Sequence, residues 1–112
     1  MTALDQLPLQ IDVTEFARWR REGIRHVLLD VREPWETALC RIEDSIVAPL
    51  STVPGVLERL PADRPIVVTC HHGMRSLQAV NWLRRNGRAG AVNLAGGIDA
   101  WARQIEPAMT LY

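Results

Sequence analysis

Pro65-Ile66-Val67-Val68-Thr69-Cys70-His71-His72-Gly73-Met74-Arg75-Ser76 is the stretch that decides how this chain is read. A β-branched apolar run stops at a cysteine, a short loop with glycine follows, and helical spacing begins at once. Continuous apolar runs mark strands covered on both faces. The helical pattern from Arg75 to Asn86 repeats Ser76, Ala79, Val80 and Leu83 on one face, with Gly87 as a stop. The thiol of Cys70 is thereby placed at the C-terminal end of a buried strand and above a helix N-terminus.

Working outward, strand and helix patterns alternate, which predicts an α/β fold with a parallel sheet. Strands are expected at Leu9–Ile11, His26–Val31, Ser45–Ala48, Ile66–Thr69 and Ala91–Leu94. Asp12 reads as the N-cap of a helix, with Glu15 as its capping-box partner and Gly23 as its end. Further helices are expected over Glu33–Leu39, with Pro34 in the first turn, over Thr52–Leu60, and from Ile98 to Gln104. In Thr52–Leu60, Pro54 and Gly55 confine the regular part to the later portion. Trp19, Trp35, Trp82 and Trp101 are read as packing residues. Ligands of such sheets bind outside the strand C-termini, so Asp30 and Cys70 are expected on one edge.

The length of 112 residues suits one domain, 1–112, and the 47% hydrophobic fraction is that of a globular protein. No apolar run is long enough to span a bilayer, and the start lacks the features of a secretion signal; a cytoplasmic location is expected. Net charge is zero, against non-specific nucleic-acid binding. Charge is unevenly spread: no Asp or Glu occurs between Arg64 and Ile98, so the Cys70 region reads as electropositive and suited to a small anion. Arg84, Arg85 and Arg88 read as a solvated basic face. Cys40 reads as an inert thiol, and two cysteines cannot form a zinc site alone. The adjacent His71 and His72 are poorly spaced for joint ligation, so no metal is expected.

A thiolate is favoured at a helix N-terminus and beside a cation, and both influences converge on Cys70. Unpaired N–H groups open the helix, Gly73 permits a tight anion nest, and Arg75 offers a planar fork for an oxyanion. A buried structural cysteine would explain the strand end alone; it does not explain the glycine, the arginine and the helix that follow.

Three segments together resemble the single-domain rhodaneses, a sulfurtransferase family: Leu28-Leu29-Asp30-Val31-Arg32-Glu33, the loop from Cys70 to Ser76, and Ala95-Gly96-Gly97-Ile98-Asp99-Ala100-Trp101. The resemblance covers roughly Leu9 to Ala102. It implies a doubly wound rhodanese-like fold, with a five-stranded, mainly parallel sheet and helices on both faces. It implies that Cys70 takes a sulfane sulfur as a persulfide, from thiosulfate or another persulfide donor, and passes it to cyanide or a thiol. His71, His72, Gly73, Met74, Arg75 and Ser76 would form the anion-binding loop, Arg75 holding the donor, with Asp30 and Arg32 as scaffold behind it. No cofactor is implied; an acceptor protein is possible. Cys40-Arg41-Ile42 departs from the family's usual Gly-His-Ile and is expected at the opposite, N-terminal edge. The alternatives are a persulfide carrier, a non-catalytic interaction module of the same fold, and a cysteine phosphatase or arsenate reductase. The loops of the last group are one residue longer between cysteine and arginine, a larger cradle than this one.

Overall fold

The computed structural model describes residues 3–112. Five strands form one sheet: β1 (Gln10–Ile11), β2 (Val27–Asp30), β3 (Ile46–Val47), β4 (Ile66–Thr69) and β5 (Ala91–Leu94). Their spatial order is β1-β5-β4-β2-β3, and each neighbouring pair is parallel. β4 is central, and its residues Ile66, Val67 and Val68 are all fully buried. That burial on both faces is what the uninterrupted apolar run encodes. Asp30 pairs with Thr69, so the ends of β2 and β4 are level and Cys70 lies one step beyond.

The helices are α1 (Val13–Arg21), α2 (Pro34–Leu39), α3 (Val53–Val56), α4 (Met74–Arg85) and α5 (Gly97–Gln104). They cover both faces of the sheet. Leu29, Ile66 and Val68 pack with Val53 of α3 and with Ala79, Val80 and Leu83 of α4. Leu28, Val67, Val92 and Leu94 point the other way, onto Phe16 and Trp19 of α1 and Ile98 and Trp101 of α5. The period of two along the strands sorts the side chains into these two cores.

Several local expectations need correction. Asp12 does cap α1, accepting from the Glu15 amide at 2.8 Å, but the Glu15 carboxylate turns to Arg18 instead of back to the cap. In 50–59 the α-helical part is Val53–Val56 itself, flanked by 3-10 turns at Leu50–Thr52 and Leu57–Arg59. Pro54 sits in the first turn, where its missing N–H costs nothing. Trp35 is 63% exposed and not a core residue. Arg84 and Arg88 are not simply solvated. Arg84 donates to the carbonyls of Ala91, Leu7 and Pro8, and Arg88 to those of Leu60 and Leu57, tying loops to the sheet. Cys40 is not at the far edge: its carbonyl accepts from the Arg32 guanidinium at 2.8 Å.

The turn from β5 into α5 fixes the loop beyond β4. Gly97 has φ +60°, and a Cβ there would stand 2.5 Å from the carbonyl oxygens of both Cys70 and His71. With no side chain in the way, Ile98 N donates to Cys70 O at 2.9 Å and Asp99 N to His71 O at 3.1 Å. Replacing Gly97 with alanine combines a left-handed backbone with a clash against main chain, neither of which can relax cheaply. Gly97→Ala is expected to lower unfolding free energy by about 3 kcal/mol, read from the midpoint of urea denaturation.

Candidate functional site

Cys70 is 1% exposed, and its Sγ faces the loop that follows it. Gly73 N donates to Sγ at 3.1 Å and Ser76 N at 3.4 Å, and Ser76 Oγ lies 3.2 Å away. Gly73 makes the turn with φ +107°, immediately before α4. The two amides belong to the start of that helix, where N–H groups lack intrahelical partners. Sulfur here occupies the position of an anion at a helix N-terminus.

Behind Ser76 stands Asn93, a buried polar residue in the otherwise apolar β5. Its Nδ2 donates to Gly73 O at 3.1 Å and to Gln10 Oε1 at 3.2 Å, which fixes the amide orientation. Its Oδ1 therefore accepts from the Ser76 hydroxyl. A hydroxyl has one proton to give. While that proton is on Asn93, Ser76 Oγ can only accept from the Cys70 thiol. Once the thiol is ionised, the same hydroxyl can turn and donate to the thiolate.

Arg75 is half-buried, and its fork is engaged within the protein. Its Nη1 and Nη2 hold the two carboxylate oxygens of Glu36, at 2.6 and 2.8 Å. Glu36 comes from α2 and is 3% exposed. It also accepts from the Glu33 amide at 3.0 Å and from the Tyr112 hydroxyl at 2.7 Å. The Arg75 hydrogen bonds, with the Glu33 amide and Tyr112 assisting against the cost of burial, hold its carboxyl at about 2. The electropositive character read from the local sequence is thus offset by a carboxylate supplied from elsewhere in the chain.

Asp30 and Arg32 form a buried pair at the end of β2, both fully enclosed. All five N–H groups of the Arg32 side chain are used: two on Asp30, and the rest on the carbonyls of Cys40 and Glu36 and on the Tyr112 hydroxyl. A continuous path of hydrogen bonds runs from Asp30 through Arg32 and Tyr112 to Glu36 and Arg75. Asp30 and Arg32 do not contact the sulfur.

His71 lies between two rings, stacked on Tyr112 at 3.9 Å and on His72 at 3.9 Å. Burial, reinforced by the neighbouring His72, pushes its pKa down, so the ring is neutral at neutral pH. Met74 is 76% exposed at the rim. Asp99 brings a carboxylate near both histidines, and one potential ligand atom of each lies within 4.8 Å of the others. The two imidazole planes are only 27° apart, so their in-plane lone pairs run side by side and do not converge on one ion. Asp99 Oδ2 is itself held by Arg103 at 3.0 Å. The cluster as it stands does not have the geometry of a chelate.

Three residues that the sequence reading did not place at the site surround the loop: Glu36, Asn93 and Tyr112. Glu36 had a signal, since Glu33-Pro34-Trp35-Glu36 has the spacing of a capping box. Asn93 had one too, a lone amide within a buried strand run. Tyr112 had none, because only folding brings residue 112 to the loop.

The same architecture recurs among known proteins. A family model described as "Rhodanese-like domain" matches residues 12–104. A protein named "Sulfurtransferase" from Allochromatium vinosum is 40% identical over 81 residues, covering 72% of this chain and 76% of that protein. The probable adenylyltransferase/sulfurtransferase MoeZ of Mycobacterium tuberculosis is 37% identical over 100 residues, 88% of this chain. This chain spans only 26% of MoeZ. Among solved structures, the human single-domain sulfurtransferase TSTD1 superposes with a TM-score of 0.77 at 28% identity, covering 88% of this chain and 98% of that one. With a parallel five-stranded sheet of this order and a family match over most of its length, the chain belongs to the rhodanese-like domain family.

Proposed function

We propose that this protein is a sulfurtransferase in which Cys70 carries a sulfane sulfur as a persulfide. The observation that carries the reading is the direction of two helix-start amides, those of Gly73 and Ser76, onto the Cys70 sulfur. Donors fixed in place before reaction stabilise charge without reorganising during it.

The transfer is a double displacement. The Cys70 thiolate attacks the outer sulfur of a donor, the S–S bond of the donor breaks, and the electron pair leaves with the remainder. With thiosulfate, Cys70–S⁻ and S–SO3²⁻ give Cys70–S–S⁻ and SO3²⁻. In the second half, cyanide attacks the outer sulfur and leaves as thiocyanate, returning Cys70–S⁻; a thiol acceptor leaves as its own persulfide. The negative charge stays on sulfur at the loop throughout, which is where the amide donors are aimed. Ser76 Oγ takes the thiol proton's side of the hydrogen bond before ionisation and donates to sulfur afterwards.

A phosphatase reading is disfavoured by Arg75. An oxyanion-wrapping loop needs that guanidinium turned to the substrate, and here its Nη1 and Nη2 are directed onto the two oxygens of Glu36.

Two measurements bear on the reading. Incubation with thiosulfate, followed by intact mass, is expected to show a gain of one sulfur that Cys70→Ser lacks and that reductant removes; a wild-type mass that never changes with any sulfane donor refutes it. Ser76→Ala keeps the Ser76 amide and removes the hydroxyl beside sulfur. Loss of one hydrogen bond to a charged group corresponds to about 1.5 kcal/mol, so the rate of sulfur uptake is expected to fall about tenfold while the folded structure, read by circular dichroism, is retained.

A further inference from the structure

Among the described residues, three arginines around the Cys70 loop each have an acidic partner in the fold. Arg75 is held by Glu36, Arg32 by Asp30, and Arg103, beside the loop's histidines, by Asp99. His71 is uncharged at neutral pH. What faces the sulfur is therefore the partial charge of amides, with no free full charge from Arg75.

The Glu36–Arg75 pair is also built to persist. Both oxygens of Glu36 are occupied twice over: Oε1 by Arg75 and the Glu33 amide, Oε2 by Arg75 and the Tyr112 hydroxyl. Tyr112 in turn is held by Arg32 at 3.1 Å and by its stack on His71. A carboxylate with four partners and 3% exposure does not swing aside to release its arginine when a substrate arrives. Attack of a thiolate on thiosulfate gathers three negative charges in one small loop, and an Arg75 paired with Glu36 leaves most of that repulsion to the loop amides.

We propose that Glu36 is a specificity-determining residue: by clamping Arg75 as a neutral pair, it matches the Cys70 loop to a sulfane sulfur carried on a monoanionic or neutral organic group, and against the inorganic dianion thiosulfate. The inference rests on the persulfide reading of Cys70 and narrows its donor class. Thiosulfate remains a donor of the site, used less efficiently than an organic one.

The test uses two donors that break the same bond and differ by one charge, thiosulfate and benzenethiosulfonate. With the second, Cys70–S⁻ and ArSO2–S⁻ give Cys70–S–S⁻ and ArSO2⁻. The quantity read is the ratio of kcat/KM for thiosulfate to that for benzenethiosulfonate, in which general losses of stability or thiol reactivity cancel. Glu36→Gln frees the charge of Arg75 and is expected to raise the ratio about tenfold, the effect of one partly screened charge beside the donor. Arg75→Met leaves Glu36 unpaired and is expected to lower it by a similar factor. The double variant Glu36→Gln with Arg75→Met removes both charges and is expected to return the ratio near the wild-type value. A Glu36→Gln ratio that is unchanged or lower overturns the proposal. A wild-type protein that takes sulfur from neither donor overturns the persulfide reading instead, and the charge argument is then decided by sulfate. At matched ionic strength, sulfate over chloride is expected to raise the Tm of Glu36→Gln and leave that of wild type unmoved; equal shifts in both overturn it.

Discussion

Two backbone hydrogen bonds carry the site: Ile98 N to Cys70 O and Asp99 N to His71 O. A trans peptide points its carbonyl and its amide in opposite directions. Once the first turn of α5 takes the carbonyls of Cys70 and His71, the amides of the next residues lie on the side of the loop away from α5. Gly73, with its positive φ, then brings the chain round so that its own amide and that of Ser76 reach the sulfur. The unpartnered amide N–H groups of one helix start are satisfied by loop carbonyls, and those of another by the Cys70 sulfur. Both needs arise from the same deficit at helix N-termini, and the fold resolves them within a few residues of each other. Gly97 is therefore part of the site although it does not touch sulfur; what it contributes is the space that lets two backbones meet.

Charge at the site follows a different rule from geometry. The loop's own segment holds no carboxylate over many residues on either side, and a reading along the chain makes it basic. The fold then delivers Glu36 from α2 across the top of β2, and the basic loop becomes an electrically balanced one. Energetically this is a partly buried, bidentate pair, a geometry in which arginine and carboxylate gain most from each other. Leaving either partner alone in that place would cost more than the pair gains. Glu36, Tyr112, Arg32 and Asp30 thus behave as one unit, in which loss of any member exposes an unmet donor or acceptor in the next.

How much of this was readable before folding depends on the range of the interaction. The ends of β4 and β5 were legible to the residue, because an apolar run, a cysteine and a glycine are contiguous signals. α4 and α5 began within one residue of expectation for the same reason. α3 was not legible in detail, since Pro54 and Gly55 leave helix type to be decided by packing of Val53 and Leu60 under the sheet. Arg84 and Arg88 looked like a solvated face because nothing local shows the loop carbonyls that they hold. The position of Cys40 was not legible because its carbonyl is held by the Arg32 guanidinium, a contact that no local pattern shows. The identity of the candidate sulfur is local information; its electrostatic surroundings are not.

This division bears on how one fold serves different donors. On the reading of Cys70 as the sulfur carrier, a residue only 1% exposed leaves room for no more than the outer atom of a donor, and the group bearing that atom stays outside. Chemistry is then set by the inner shell of amides, Ser76 and Asn93, which are fixed by the sheet and by α5. Selectivity is set at the rim, by Arg75, Glu36, His72 and the exposed Met74 and Trp35, of which α2 supplies two. The inner shell cannot be altered without exposing a buried polar atom or a backbone clash. The exposed rim positions His72, Met74 and Trp35 tolerate change at the cost of one surface contact, whereas Glu36 and Arg75 change together. On the proposed roles of Cys70 and Glu36, the sulfur chemistry stays with the inner shell while α2, far from the cysteine in sequence, sets which charge the donor carries.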